Sequence, residues 1–259
     1  MLHQLQKSKA IACMAFFVMK IINIPNIITC FNLMSGCFAI YFGLNSYIGL
    51  ACFYIIIGAV FDFFDGMTAR AMGISSPIGK ELDSLADVVT FGIAPSVLCF
   101  DLVVSAAPLF TSAAETIALL SFVMAAFSAL RLAKFNCDSR QTLTFIGLPT
   151  PANALFWIGL SSVARIDTVK VFISQYPAIY TIIVFVLMIL CSLLLISEIP
   201  MFSFKFKAGH TGWAENKLRY SFLAISIALI AICAVFDTIA SSFAAIILLY
   251  IVISYATRK

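Results

Sequence analysis

Four aspartates set the chemistry open to this chain. Asp62 and Asp65 stand three apart, and Asp83 and Asp87 four apart, in the stretch "DFFDGMTARAMGISSPIGKELDSLAD". With Glu81 they are five of the chain's twelve acids, gathered into 26 residues between two strongly apolar runs. In helices, these spacings put each pair on one face. The short connection Ala71–Gly79, broken by Gly73, Pro77 and Gly79, predicts that the second helix returns antiparallel beside the first. Four carboxylates then converge in a partly dehydrated site, where unpaired charges repel one another at high cost. Divalent cations resolve that conflict, and all-oxygen ligation without His or Cys nearby suits Mg²⁺ or Mn²⁺ rather than zinc. A blander reading pairs the acids with Arg70 and Lys80 or leaves them at a solvated helix end, but two cations do not answer four facing carboxylates. Gly66 and Gly79 withhold side chains beside the acids, Ala69 is small, and Arg70 supplies a fixed cation. Metal ions, an arginine and room for close backbone approach fit a pyrophosphate substrate.

The elements that must hold these residues are membrane helices. At 259 residues, with a mean hydropathy of +1.08 and 11% charged residues, the composition excludes an ordinary soluble domain. The apolar runs are continuous rather than alternating, which favours helices over a β-barrel. The fold class read from them is all-α, a polytopic membrane bundle with eight spans near 25–44, 47–70, 80–104, 115–135, 148–165, 175–197, 219–236 and 239–256. "KSKAIACMAFFVMK" is too short an apolar stretch to span, and residues 1–24 read as an N-terminal interfacial segment. The eight cysteines are scattered without a CxxC pair and read as small packing residues.

Alternating the spans across the membrane places fourteen of the sixteen Lys and Arg on one side, with only Arg165 and Lys170 opposite. That bias predicts cytoplasmic termini and a cytoplasmic acidic cluster. Asp101 and Glu115 fall at the outer face and are expected to be solvated. The loop at 198–218 mixes aromatics with cations and is expected to lie against the inner surface, with no binding role assigned to His210 or Trp213. Nothing points to nucleic acid. A cation transporter would need acids spread through the membrane depth, whereas this cluster lies near one face.

The pattern D-x2-D-G-x2-A-R-x8-G-x3-D-x3-D is matched at every fixed position from Asp62 to Asp87. It resembles the signature of the CDP-alcohol phosphatidyltransferase family. The resemblance implies an intramembrane enzyme that displaces CMP from a CDP-linked lipid with an alcohol, built on a six-helix core and pairing as a homodimer. That core would be residues 25–197, leaving two further C-terminal transmembrane helices in 219–259. By carry-over, Asp62, Asp65, Asp83 and Asp87 hold the metal ions and Asp87 is also the general base. Gly66, Ala69, Arg70 and Gly79 line the cytidine diphosphate pocket.

Three other stretches, "IPNIITCFNLMSG", "LRLAKFN" and "GLPTPANA", resemble the bacterial phosphatidylserine synthase branch of the family. That likeness implies CDP-diacylglycerol and L-serine as substrates at a bacterial plasma membrane. Arg131 and Lys134 are then expected to meet the acceptor, although their charge alone would equally suit glycerol 3-phosphate or inositol phosphate. Asn136 is either a helix cap or an acceptor contact. Asn26, Thr29 and Asn32 recur at three-residue steps in an apolar helix; Asn26 and Thr29 are assigned to the nucleotide, with helix-to-helix hydrogen bonding as the alternative. Pro149 and Pro151 are expected to shape the entry of the fifth span.

Overall fold

The computed structural model describes residues 22–73, 76–106, 114–138, 145–201, 213–236 and 238–256. Residues 1–21 of the proposed interfacial segment, Arg140, residues 202–212 with His210, and the side chains of Trp213 and Glu115 lie outside the described residues.

Local signals start and stop the helices where the sequence places them. Asn23 caps α1 (Ile24–Leu44) by accepting from the Asn26 amide at 2.9 Å, with Pro25 in the first turn. α2 (Ile48–Met72) ends at Gly73, whose φ of 62° is left-handed. α3 (Pro77–Ala106) opens on the Ser76 cap, whose hydroxyl accepts from the Gly79 amide at 3.0 Å. There follow α4 (Thr116–Cys137), α5 (Thr150–Val163), α6 (Asp167–Gln175), α7 (Pro177–Ile196), α8 (Trp213–Val235) and α9 (Ile239–Ala256). The fold is a polytopic helical bundle. Its one departure among the described residues is a two-residue antiparallel pairing of Phe145–Ile146 with Pro200–Met201.

Among the described residues, six helices are long and apolar enough to cross a membrane: α1, α2, α3, α4, α7 and α9. α3 is the central one, with 61% of its apolar segment buried against 28–33% in the other five. Around it pack Ile55, Met124, Trp157, Ile158 and Val184, all buried. Large apolar side chains such as Phe31, Phe53, Ile182 and Val252 point outward, as a bundle solvated by lipid requires.

The expected seventh span lies within α8, which is helical over Trp213–Val235 and apolar over Tyr220–Val235. One expected span is shorter than read. The fifth is helical only over Thr150–Val163, about 21 Å at 1.5 Å per residue, against a hydrocarbon core of about 30 Å. Its missing length is made up by non-helical backbone buried in protein. The Gly147 amide donates to Ile199 O and the Leu148 amide to Leu194 O, each at 2.9 Å, so both amides are satisfied within the protein. A further helix, α6, follows it and was not anticipated. Asp101 is also corrected: its side chain is 12% exposed, not solvated, and accepts from Arg165 at 2.9 Å. The seven described cysteines are free; Cys99 and Cys191 are buried as packing residues, whereas Cys30, Cys37 and Cys137 are exposed.

Candidate active site

The end of α2 and the start of α3 bring three of the four aspartates into one cluster. Carboxylate oxygens of Asp62, Asp83 and Asp87 all lie within 4.8 Å of one another. Asp65 stands beside this group rather than in it, 5% exposed, with Oδ2 buried and without a hydrogen-bond partner. None of the four makes an ion pair among the described residues. Pairing with Arg70 and Lys80, the first form of the blander reading, therefore fails on geometry. Lys80 donates instead to the Asn136 carbonyl at 3.1 Å, and Arg70 is exposed at the last turn of α2. Clustered carboxylates with an orphaned buried oxygen form the all-oxygen donor set that a hard divalent cation takes.

Position along α3 is set by a device that periodicity did not reveal. The six residues after Asp87, Val88–Ile93, form a π-helical segment inside the otherwise α-helical span. Its Thr90 sits where α1, α2 and α3 meet, donating to Asn32 O at 3.0 Å. A Cβ added at Gly36 or at Gly58 would overlap Thr90, so both neighbouring helices must be bare there. This contact fixes the rotation of α3 just below Asp87. Asn32, fully buried, then reaches Asp87, donating from Nδ2 to Oδ1 at 3.4 Å. Asn32 thus makes the helix-to-helix hydrogen bond that was one of the two readings of the polar face of α1.

Beside the carboxylates lies a cavity of about 250 Å³. Its walls include Asn26, Thr29, Gly66, Ala69 and Gly79, five of the six residues assigned to the nucleotide, together with Asp65 and Asp83. Arg70 is not among the lining residues; its guanidinium stands 3.5 Å from where a Gly66 Cβ would be. Pro25, Ser76 and Lys80 complete the wall; sequence reasoning passed over Pro25 and Ser76 and weighed Lys80 only as an ion-pair partner. Two helix N-termini, of α1 and α3, therefore border the cavity, and a helix start with its free amides favours anionic groups. A Cβ on Gly79 would come within 3.0 Å of Asn26 Oδ1, which explains the bare position.

The three residues expected at the acceptor have different surroundings. Arg131 is 7% exposed, lies over the Phe135 ring, and donates from Nη1 to Thr150 Oγ1 at 3.5 Å, while its Nε has no partner. It is close enough to Asp87 to interact with it electrostatically. Lys134 turns away to Glu198, at 3.3 Å, and to the Ile196 carbonyl. Asn136 is not a cap, since α4 continues through Cys137; its Nδ2 donates to Ser84 Oγ at 2.8 Å and ties α4 to α3. Thr150 and Asn153, one turn apart on the buried face of α5, join Arg131 on this side. Asn153 is fully buried, and neither polar atom of its amide is bonded. An asparagine three positions after a threonine in an apolar run was the available signal.

Comparison with known proteins agrees with this geometry. Residues 22–202 match the family described as CDP-alcohol phosphatidyltransferase. The CDP-diacylglycerol–serine O-phosphatidyltransferase of Bacillus subtilis is 38% identical over 138 residues, covering 53% of this chain and 75% of that protein. Proteins of the same name from Methanocaldococcus jannaschii and Saccharomyces cerevisiae are 38% and 32% identical, over 56% and 58% of this chain and 63% and 57% of their own lengths. With a family match over most of its length and the complete aspartate signature in place, the chain belongs to the CDP-alcohol phosphatidyltransferase family.

Proposed function

We propose that this protein is a CDP-diacylglycerol–serine O-phosphatidyltransferase, making phosphatidylserine and CMP from CDP-diacylglycerol and L-serine. The observation that carries the catalytic reading is the uncompensated Asp62, Asp83 and Asp87 cluster beside a cavity bordered by two helix starts. The acceptor is supported by the family branch of the relatives above.

Asp62, Asp65, Asp83 and Asp87 would hold Mg²⁺ or Mn²⁺, which when bound withdraws charge from the pyrophosphate oxygens as CMP leaves. Asn26, Thr29, Gly66, Ala69 and Gly79 receive the cytidine diphosphate, with Arg70 at the rim. Asp87 takes the proton from the serine hydroxyl as its oxygen bonds to the lipid-linked phosphorus and the bond to CMP breaks. Asn32 holds Asp87 in place through its amide. Arg131 meets the serine carboxylate, with Thr150 and Asn153 behind it. Lys134 and Asn136 act indirectly, through Glu198 and Ser84.

In this reading, residues 25–197 form the catalytic core, 198–218 a cytoplasmic loop, and 219–259 a C-terminal helix pair. The enzyme sits in a bacterial plasma membrane with both termini and the site cytoplasmic, supported by the charge bias of the loops, and works as the homodimer the family likeness implies. The test is CMP release by purified protein with CDP-diacylglycerol and Mg²⁺ or Mn²⁺, comparing L-serine, glycerol 3-phosphate, inositol phosphate and no acceptor. Serine-dependent release is expected. Release only with another acceptor would move the enzyme to a different branch, and no metal-dependent release would overturn the catalytic reading.

A further inference from the structure

α3 carries aspartates at one end and borders a second cavity at the other. Ser105 follows Asp87 by 18 residues along this helix, about 27 Å at 1.5 Å per residue, close to the depth of a hydrocarbon core of about 30 Å. The cavity there measures about 300 Å³ and is lined by Ser105, Ala164, Arg165, Lys170, Ile173 and Ser174. Lys170, Ile173 and Ser174 recur at three- and four-residue steps, so one face of α6 makes one wall, and the ends of α3 and α5 make the others. Away from that face, Val171 and Phe172 of α6 are exposed, and Tyr176 follows at its end. A short helix with exposed apolar side chains and a terminal tyrosine suits the plane where hydrocarbon gives way to headgroups.

Arg165 and Lys170 are the two cations that alternation of the spans leaves opposite the acidic cluster, and both line this cavity, whose described walls hold no acid. Arg165 is fixed in place: Nη2 donates to Asp101 at 2.9 Å and Nη1 to Ser161 O at 2.6 Å. A guanidinium has N–H groups beyond those two. Lys170 donates to Asp167 at 2.9 Å, but that side chain is 95% exposed, and so solvated a pair yields readily to a competing anion. A fixed guanidinium and an adaptable ammonium on one cavity match a phosphate group. We infer that this cavity binds phosphate, and that its depth makes the source an anionic phospholipid of the leaflet opposite the acidic cluster.

Thermal unfolding of the full-length protein in an uncharged detergent, with phosphatidylglycerol, diacylglycerol or inorganic phosphate added, tests this. Saturating phosphatidylglycerol should raise the Tm by about 5–10 °C, whereas diacylglycerol, which has the chains without the phosphate, should not. Lys170→Ala leaves the Arg165–Asp101 pair intact. Without lipid it should therefore unfold near the wild-type Tm and keep CMP release within about twofold, yet lose about half or more of the lipid shift. Lys170→Arg should restore that shift. Inorganic phosphate that reproduces the whole shift in wild type, and not in Lys170→Ala, would support the phosphate site and overturn its lipid source. No shift with any addition, an equal shift with diacylglycerol, or the same shift in wild type and Lys170→Ala would overturn the site itself.

Discussion

At the face of the bundle opposite the site, acids are answered by bases. Asp101 meets Arg165 and Asp167 meets Lys170, each at 2.9 Å. At the site's own face, Asp62, Asp83 and Asp87 crowd within 4.8 Å of one another, and their sequence neighbours Arg70 and Lys80 are turned elsewhere. Both faces use aspartate near helix ends in an apolar bundle, so residue type does not separate them. Compensation does: a paired acid fastens helices together, whereas a group of unpaired acids has charge to spare for a ligand. Proximity of Arg70 and Lys80 in sequence suggests pairing, but among the described residues neither forms an ion pair with these carboxylates, and Lys80 donates to the Asn136 carbonyl, tying α3 to α4.

The contrast breaks most sharply at Asp87. Asp87→Asn should lower CMP release by about 10²- to 10⁴-fold, the span typical of losing a general base, while CDP-diacylglycerol still protects the protein against thermal unfolding. Asp101→Asn, at the other face, should leave the turnover of folded enzyme within about twofold, as expected of distant sites. Near-normal release by Asp87→Asn would remove it from the role of base, and a large kinetic loss in Asp101→Asn would show that the two faces are not separable.

What the sequence made legible follows the same division. The break between α2 and α3 was readable because Gly73 and Pro77 act locally, through fixed dihedrals, whereas the Asn23 and Ser76 caps and the start of α3 at Pro77 were not read. The aspartate pairs were readable because three- and four-residue spacing has a direct meaning on a helix. The π-segment was not: it lies where Thr90 meets Gly36 and Gly58, residues distant in sequence that each look like ordinary helix packing. Hydropathy read 148–165 as a full span, since buried protein backbone and lipid-facing helix look equally apolar. Lys134 was placed at the correct face, but its partner Glu198 is brought in only by the return of α7.

That last difference sharpens the acceptor side. Arg131 is buried near Asp87, whereas Lys134 is 37% exposed and paired with a glutamate that is 69% exposed. Arg131→Ala should raise the KM for serine by about tenfold or more with little change in that for CDP-diacylglycerol, because a buried charged partner is lost. Lys134→Ala should change it less than about threefold, the scale of an exposed ion pair. Equal effects of the two, or equal effects on both substrates, would return the acceptor contact to the cationic face as a whole.

The smallest effect is also the most direct reading of the two faces, because its sign differs between them. In metal-free protein, Asp83→Asn removes one of several mutually repelling charges and should raise the Tm. Asp101→Asn strands Arg165 and should lower it. Each shift should be a few degrees, taking about 1–2 kcal/mol per change and about 2–4 °C per kcal/mol for a chain of this size. Saturating Mg²⁺ or Mn²⁺ should then stabilise wild type, by about 2.7 kcal/mol at a hundred times the Kd. The gain should be smaller in Asp83→Asn, which lacks a ligand, and intact in Asp101→Asn. Thermal unfolding of the four combinations, with and without cation, reads all of this without any turnover. If both substitutions destabilised equally in the absence of metal, the carboxylate cluster would be held by compensation like that at the far face, and its capacity to bind a cation would lose its physical basis.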